Sequence, residues 1–170
     1  FDHLVQQECL QAGPGQIHLQ LETSPRARIT AGFESYLEEM RHQGVTFQSL
    51  RKKRFLCERS LGPIRFDTFC RIPAVLHRIL DWKSQRHNQG KPAPRFITEV
   101  LDQLYQDSRG DFSGVLSAFY AGDSLLAAHF GLRCQGILYY WFGAFDPVFF
   151  EYSPGRQLIY NLIAGLHLLD

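Results

Sequence analysis

Residues 125–163 read LLAAHFGLRCQGILYYWFGAFDPVFFEYSPGRQLIYNLI, and the architecture turns on how this stretch is parsed. Two runs, SLLAAHFGLR (124–133) and ILYYWFGAF (137–145), have strand character and are separated by CQG (134–136), a tight-hairpin spacing. Upstream, SGVLSAFY (113–120) is set off from the first of them by AGD (121–123), so the three runs make an antiparallel meander. DPVFFEY (146–152) then crosses over to a Ser-Pro-Gly turn (153–155) that opens directly into an apolar helix. Leu158, Ile159, Leu162, Ile163 and Leu166 fall at successive turns of that helix, a face wide enough to lie on the sheet.

A polar turn with an arginine behind it, at the mouth of a nearly buried helix, has two readings. Free backbone N–H groups and the positive end of the helix dipole form an anion site. Gly155 would let an anion approach the backbone without a Cβ in the way, Arg156 would add a fixed positive charge, and Gln157 a further amide. Alternatively, Ser153 is an N-cap, Pro154 the first helical residue, and Gly155 eases the turn.

Outward from this stretch, RFITEVLDQLYQ (95–106) carries Phe96, Ile97, Val100, Leu101, Leu104 and Tyr105 at helical spacing. IPAVLHRILDWKSQRH (72–87) does the same with Val75, Leu76, Ile79, Leu80 and Trp82, and Pro73 suits its first turn. NQGKPAP (88–94) joins the two as a loop, and PIRFDTFCR (63–71) alternates like a strand. TFQSLRKKRFLCERSLG predicts a helix from an N-cap at Thr46 to a stop at Gly62. GFESYLEEM predicts a shorter helix, with Phe33, Tyr36, Leu37 and Met40 on one face. Before it the chain reads as irregular: QAGPGQ is a turn, IHLQLET a short strand and SPRAR a loop. The order is strand, helix, helix, three antiparallel strands, helix.

Composition narrows the class. The chain is 45% hydrophobic and 21% charged, a globular balance, and its net charge of +1 does not call for a polyanionic partner. Arg51, Lys52, Lys53 and Arg54 form the one basic cluster, which could touch nucleic acid, but being consecutive they spread around a helix and read first as a solvated surface. The four cysteines, Cys9, Cys57, Cys70 and Cys134, contain no C-x-x-C pair and read as reduced thiols, with no metal site. No apolar run approaches the ~18 residues of a membrane span, and a cytoplasmic location is expected. The absence of Walker, G-x-S-x-G and H-E-x-x-H motifs argues against the chemistry each supports. Because the chain opens at Phe1 and stops within the apolar run before Asp170, an excerpt is expected.

LGPIRF (61–66), LDWKSQRHNQGK (80–91) and the run at 125–163 resemble the GNAT acyltransferases over roughly residues 22–170. The wording is similar to the CelD-like branch found with bacterial cellulose and exopolysaccharide biosynthesis, which is related to the FemAB-type transferases. The resemblance implies an α/β GNAT fold, a mixed, mostly antiparallel sheet flanked by helices, truncated here at its C-terminus before a further parallel strand. Residues 1–61 would be the end of a preceding lobe plus a helical linker, and 62–170 the GNAT-like domain. The Ser-Pro-Gly turn has one glycine where the commonest family loop has two.

Acetyl-CoA or another acyl-CoA is the implied co-substrate. Its diphosphate would lie at Ser153, Pro154, Gly155, Arg156 and Gln157, and its pantetheine arm along Tyr140, Trp141, Phe142 and Gly143, where a backbone N–H would polarise the thioester. The aromatic side chains there also read as plain sheet packing. On the acceptor side, Lys83 would orient an anionic or hydroxyl-rich group, or is simply a solvated helix-end lysine. His129 would be a general base, or a hydrogen-bonded strand histidine. Arg133 shares its parity and would bind substrate, and Tyr152 completes the catalytic candidates. The expected activity is acyl transfer to an amine or hydroxyl of a sugar or polysaccharide-related acceptor, with exopolysaccharide assembly proteins as partners. The alternatives are a FemAB-like transfer from aminoacyl-tRNA and a non-catalytic scaffold.

Overall fold

The computed structural model describes the chain except residues 1–5, 14–15, 24–28, 30, 88–90, 107, 110–111 and 167–170; for residues 6–13, 16–23, 87 and 108–109 it describes the backbone alone. The SPRAR loop, the tip of QAGPGQ, half of the NQGKPAP loop and the last four residues therefore lie outside the described residues, as does the Cys9 side chain.

Two compact units divide the chain, residues 1–38 and 39–170. In the first, β1 (Gln6–Gly13) pairs antiparallel with β2 (Gln16–Thr23) in unbroken register. IHLQLET is thus a strand as expected, but its partner lies in residues that read as irregular. α1 (Phe33–His42) follows and buries Leu37.

The second unit is a sheet between two helical layers. α2 (Gln48–Leu61) starts one residue later than an N-cap at Thr46 predicts, with Phe47 in the N-cap position and no side-chain cap bond. It ends at Gly62, where φ is 104°. The elements that follow are β3 (Ile64–Asp67), α3 (Pro73–His87), α4 (Arg95–Gln106) and the two-residue β4 (Ser108–Arg109). Next come β5 (Phe112–Ala121), β6 (Ser124–Cys134) and β7 (Ile137–Phe145). A 3₁₀ segment over Pro147–Tyr152, read from sequence only as a crossover, leads into α5 (Pro154–Ala164).

The strands run β3-β5-β6-β7 across the sheet, with β4 also on β5, and every ladder among the described residues is antiparallel. Alternation along the strands gives each face its own core, broken at Leu126, the extra residue where the β5–β6 register shifts between Phe119 and Tyr120. On one face Leu116, Ala118, Tyr120, Ala128 and Phe130 pack under Val75, Leu76, Ile79 and Trp82 of α3 and Leu101 of α4. On the other, Phe119, Ala121, Leu126 and Ala127 meet Cys57 of α2 and Leu158 of α5. The apolar face of α4 is narrower than its sequence suggests, since Phe96 and Val100 are exposed. Cys57, Cys70 and Cys134 are free thiols, and burial pushes the first two up from the ordinary thiol range.

Candidate active site

α5 opens at Pro154, whose ring presets the first helical turn. Ser153 before it stands in the left-handed region at φ 52°, ψ 52° and makes no side-chain cap bond. Its Oγ accepts a 2.7 Å hydrogen bond from Nζ of Lys53 on α2 instead. The N–H groups of Arg156 and Gln157 both donate to Ser153 O at 3.1 Å, tightening the first turn. Pro154 has no N–H, so Gly155 supplies the one first-turn amide left without a backbone acceptor among the described residues. The expected cluster of free amides thus reduces to one amide, the helix dipole and nearby cations.

Those cations come from three helices. Arg156 is exposed at the turn itself, and Lys53 reaches it from α2. Arg86 of α3 holds its guanidinium 5.6 Å from the centre of the Phe145 ring. A Cβ on Gly155 would lie 3.3 Å from that same ring, so the turn is closed by an aromatic wall on one side. Lys53 read from sequence only as part of a solvated basic run, and Arg86, within the 80–91 stretch, was not singled out.

One strand away, His129 of β6 faces Gly143 of β7 across the ladder. Its imidazole is 0% exposed, and neither ring nitrogen has a hydrogen-bond partner among the described residues. The ring stacks on Tyr140 with centroids 4.3 Å apart. Two glycines clear this space. A Cβ on Gly131 would lie 2.8 Å from the imidazole Nε2, and one on Gly143 would lie 2.1 Å from the Tyr140 hydroxyl. Between Phe130–Phe142 and Leu132–Tyr139 the pairing advances three residues on β7 for two on β6, a β-bulge that re-aims Tyr140 and Trp141.

Burial sets the chemistry of this pair. Desolvation lowers the His129 pKa to about 3, so the ring is neutral at physiological pH. Tyr140 exposes much of its ring, but its hydroxyl end is enclosed, and burial raises its pKa. Trp141 is half exposed beside Phe142, which leans on Phe130 in the core.

The other sequence candidates are spread around the domain. Lys83 holds its ammonium 5.8 Å from the Phe142 ring centre, on the α3 side of the sheet. Arg133 lies farther along β6, paired with Leu138, and lines a small pocket with Tyr105 and Ser113. Tyr152 ends the 3₁₀ segment and packs into the core beneath α2 and α5. Gln157 turns away from the mouth: it is 1% exposed and its Nε2 donates to Leu50 O. Its side chain joins α2 to α5, because the adjacent apolar residues carry it into that interface.

Residues 44–168 match the family described as acetyltransferase (GNAT) domain. The chain belongs to this family. A search of curated proteins returns no match.

In a GNAT domain an acyl group passes to an acceptor, typically from acyl-CoA, and this is the chemistry the architecture serves. The helix mouth fits the anionic part of such a donor, for it offers an unpartnered amide at Gly155 and a cation at Arg156. Among the described residues no group of three His, Cys, Asp or Glu could hold a metal, and no helix is long and apolar enough to cross a membrane.

Proposed function

We propose that this GNAT domain moves an acetyl or other acyl group from acyl-CoA to an amine or hydroxyl of a sugar or polysaccharide-related acceptor, as a member of the CelD-like branch related to FemAB-type transferases. The observation that carries the donor assignment is the mouth of α5, where the Gly155 amide and Arg156 meet Lys53 at a helix N-terminus. The diphosphate binds there, and the thioester arm runs back along β7 past Phe142 and Gly143. A backbone N–H at the bulge stabilises the oxyanion as the acceptor attacks the thioester carbonyl. The C–S bond breaks, coenzyme A leaves as its thiolate, and the proton lost by the acceptor passes through the base to that thiolate.

His129 is our proton acceptor; Lys83, on the α3 side of the sheet, and Arg133, in a pocket farther along β6, stand apart from it and each would orient only an acceptor group that reaches its own place, and Tyr152 packs beneath the turn. A desolvated imidazole gains basicity when substrate brings charge or water to the Tyr140–Gly143 segment. The CelD-like assignment rests on the wording of residues 80–91 and 125–163.

The test is a thermal-melt titration with acetyl-CoA and with free CoA, repeated on Gly155→Glu. Ligand at ~100 times Kd stabilises by about 2.7 kcal/mol, a shift of roughly 5–10 °C at this size. The shift is expected in the native chain and lost in the variant, where a carboxylate stands at the amide. No shift in the native chain sinks the donor assignment, and binding of charged tRNA in its place moves the reading to aminoacyl transfer.

A further inference from the structure

The basic run on α2 is divided: Arg51 and Lys52 are exposed, as a solvated surface would be, and the next two residues are not. Lys53 and Arg54 are half-buried and reach across to α5, Lys53 to Ser153 Oγ and Arg54 Nη1 to Asn161 Oδ1 at 3.1 Å. The two helices pack antiparallel: Lys53 meets Ser153, Leu50 meets Gln157, and Phe47 meets Tyr160. The seam between them, which forms the floor of a groove, therefore begins at the mouth of α5 and runs along its length.

Farther along, the groove deepens into a cavity of about 350 Å³ lined by Phe47, Leu50, Arg51, Arg54, Tyr160 and Asn161 among others. That volume suits a small ligand. The amides in its wall are already engaged, Gln157 with Leu50 O and Asn161 with both Gln157 O and Arg54. The two guanidinium groups are not balanced by any carboxylate in the lining. Arg51 is exposed and makes no ion pair among the described residues.

Paired positive charge beside aromatic rings selects an anion attached to a flat ring. Phe47 and Tyr160 touch each other, with centroids 5.4 Å apart, so a base would stack on their outer face and not between them. Gly155 and Tyr160 are five residues apart, roughly 8 Å along the helix. A ribose and its phosphate cover that kind of distance from a diphosphate.

We propose that this groove holds the nucleotide end of coenzyme A, with Arg51 on the 3′-phosphate, Arg54 behind it, and the adenine against Phe47 and Tyr160. The proposal rests on the acyl-CoA reading above and adds that the donor lies along α2, a helix outside the sheet's two hairpins. It predicts discrimination between donors that differ only at the 3′ position.

The experiment is calorimetric titration of the chain with CoA, dephospho-CoA and adenosine 3′,5′-bisphosphate, repeated with Arg51→Gln. Loss of one charge-assisted pair corresponds to about a tenfold change in affinity. Dephospho-CoA is expected to bind about tenfold more weakly than CoA. Arg51→Gln should bring CoA down to that level, leave dephospho-CoA unchanged and weaken the bisphosphate. Equal weakening of CoA and dephospho-CoA by the variant, or no weakening, overturns the inference while leaving the donor assignment standing. If the native chain binds neither CoA nor dephospho-CoA, the donor assignment has failed and takes this inference with it.

Discussion

His129 carries an unusual burden for a buried side chain, since both of its nitrogens lack a partner among the described residues. An unsatisfied polar group in a core costs roughly 1–3 kcal/mol, so His129 weakens the fold where an apolar side chain of its size would not. The sign of its pH effect follows from desolvation. The folded state keeps the ring neutral down to about pH 3, whereas the unfolded chain protonates it near 6.5. Between those values the unfolded state binds more protons, so stability falls as pH falls. Going from pH 7.5 to pH 5 this group alone should remove about 2 kcal/mol. Chemical denaturation of native chain and His129→Leu at both pH values measures it, and the variant should lose about that much less. Equal losses would mean that His129 is solvated or paired in solution. The strand address of His129 was legible in AAHFGLR. Its isolation was not, because it depends on Gly131 and on a tyrosine that a bulge in the next strand turns toward it.

At the scale of elements, turn chemistry decided most of the meander. Between β6 and β7, Gln135 and Gly136 both have positive φ, 51° and 71°, the requirement of a type I′ turn. Glycine meets it without strain, whereas glutamine pays a left-handed penalty that asparagine tolerates better. Gln135→Asn should therefore raise stability by about 0.5 kcal/mol, readable as a higher denaturation midpoint at unchanged m-value. A lowered midpoint would show that Gln135 makes a stabilising contact of its own. Apart from the two-residue β4, the order of strands and helices in residues 62–164 was readable for the same reason: hairpin spacings and amphipathic runs are local signals. The 3₁₀ segment was not, for it is fixed by Asp146, whose side chain accepts from the Val148 N–H and whose own N–H donates to Leu126 O. Nor was the inward turn of Lys53 and Arg54, since a run of charges does not say which helix will lie beside it.

For the domain as a whole, a net charge of +1 concealed a local concentration of cations along α5, which only the packing of α2 against that helix assembles. The packing also divides the interior. Phe119 belongs to the core under α2 and α5, and Phe130 to the core under α3 and α4, each 0% exposed. Phe119 pairs with Ala127, three residues before Phe130 on the neighbouring strand, a separation of about 10 Å along the sheet, and the two side chains leave opposite faces. If the sheet acts as a rigid wall, the two cores relax independently. Phe119→Leu and Phe130→Leu should each cost about 1–2 kcal/mol, and the double variant should cost their sum to within about 0.5 kcal/mol. Denaturation of the four chains gives the coupling directly. A coupling above about 1 kcal/mol would mean that strain on the α3 side is felt under α5. The register shift beside Phe119 in the β5–β6 ladder and the bulge in β7 beside Phe130 would then be the elements to examine, since there the sheet's regular pairing yields.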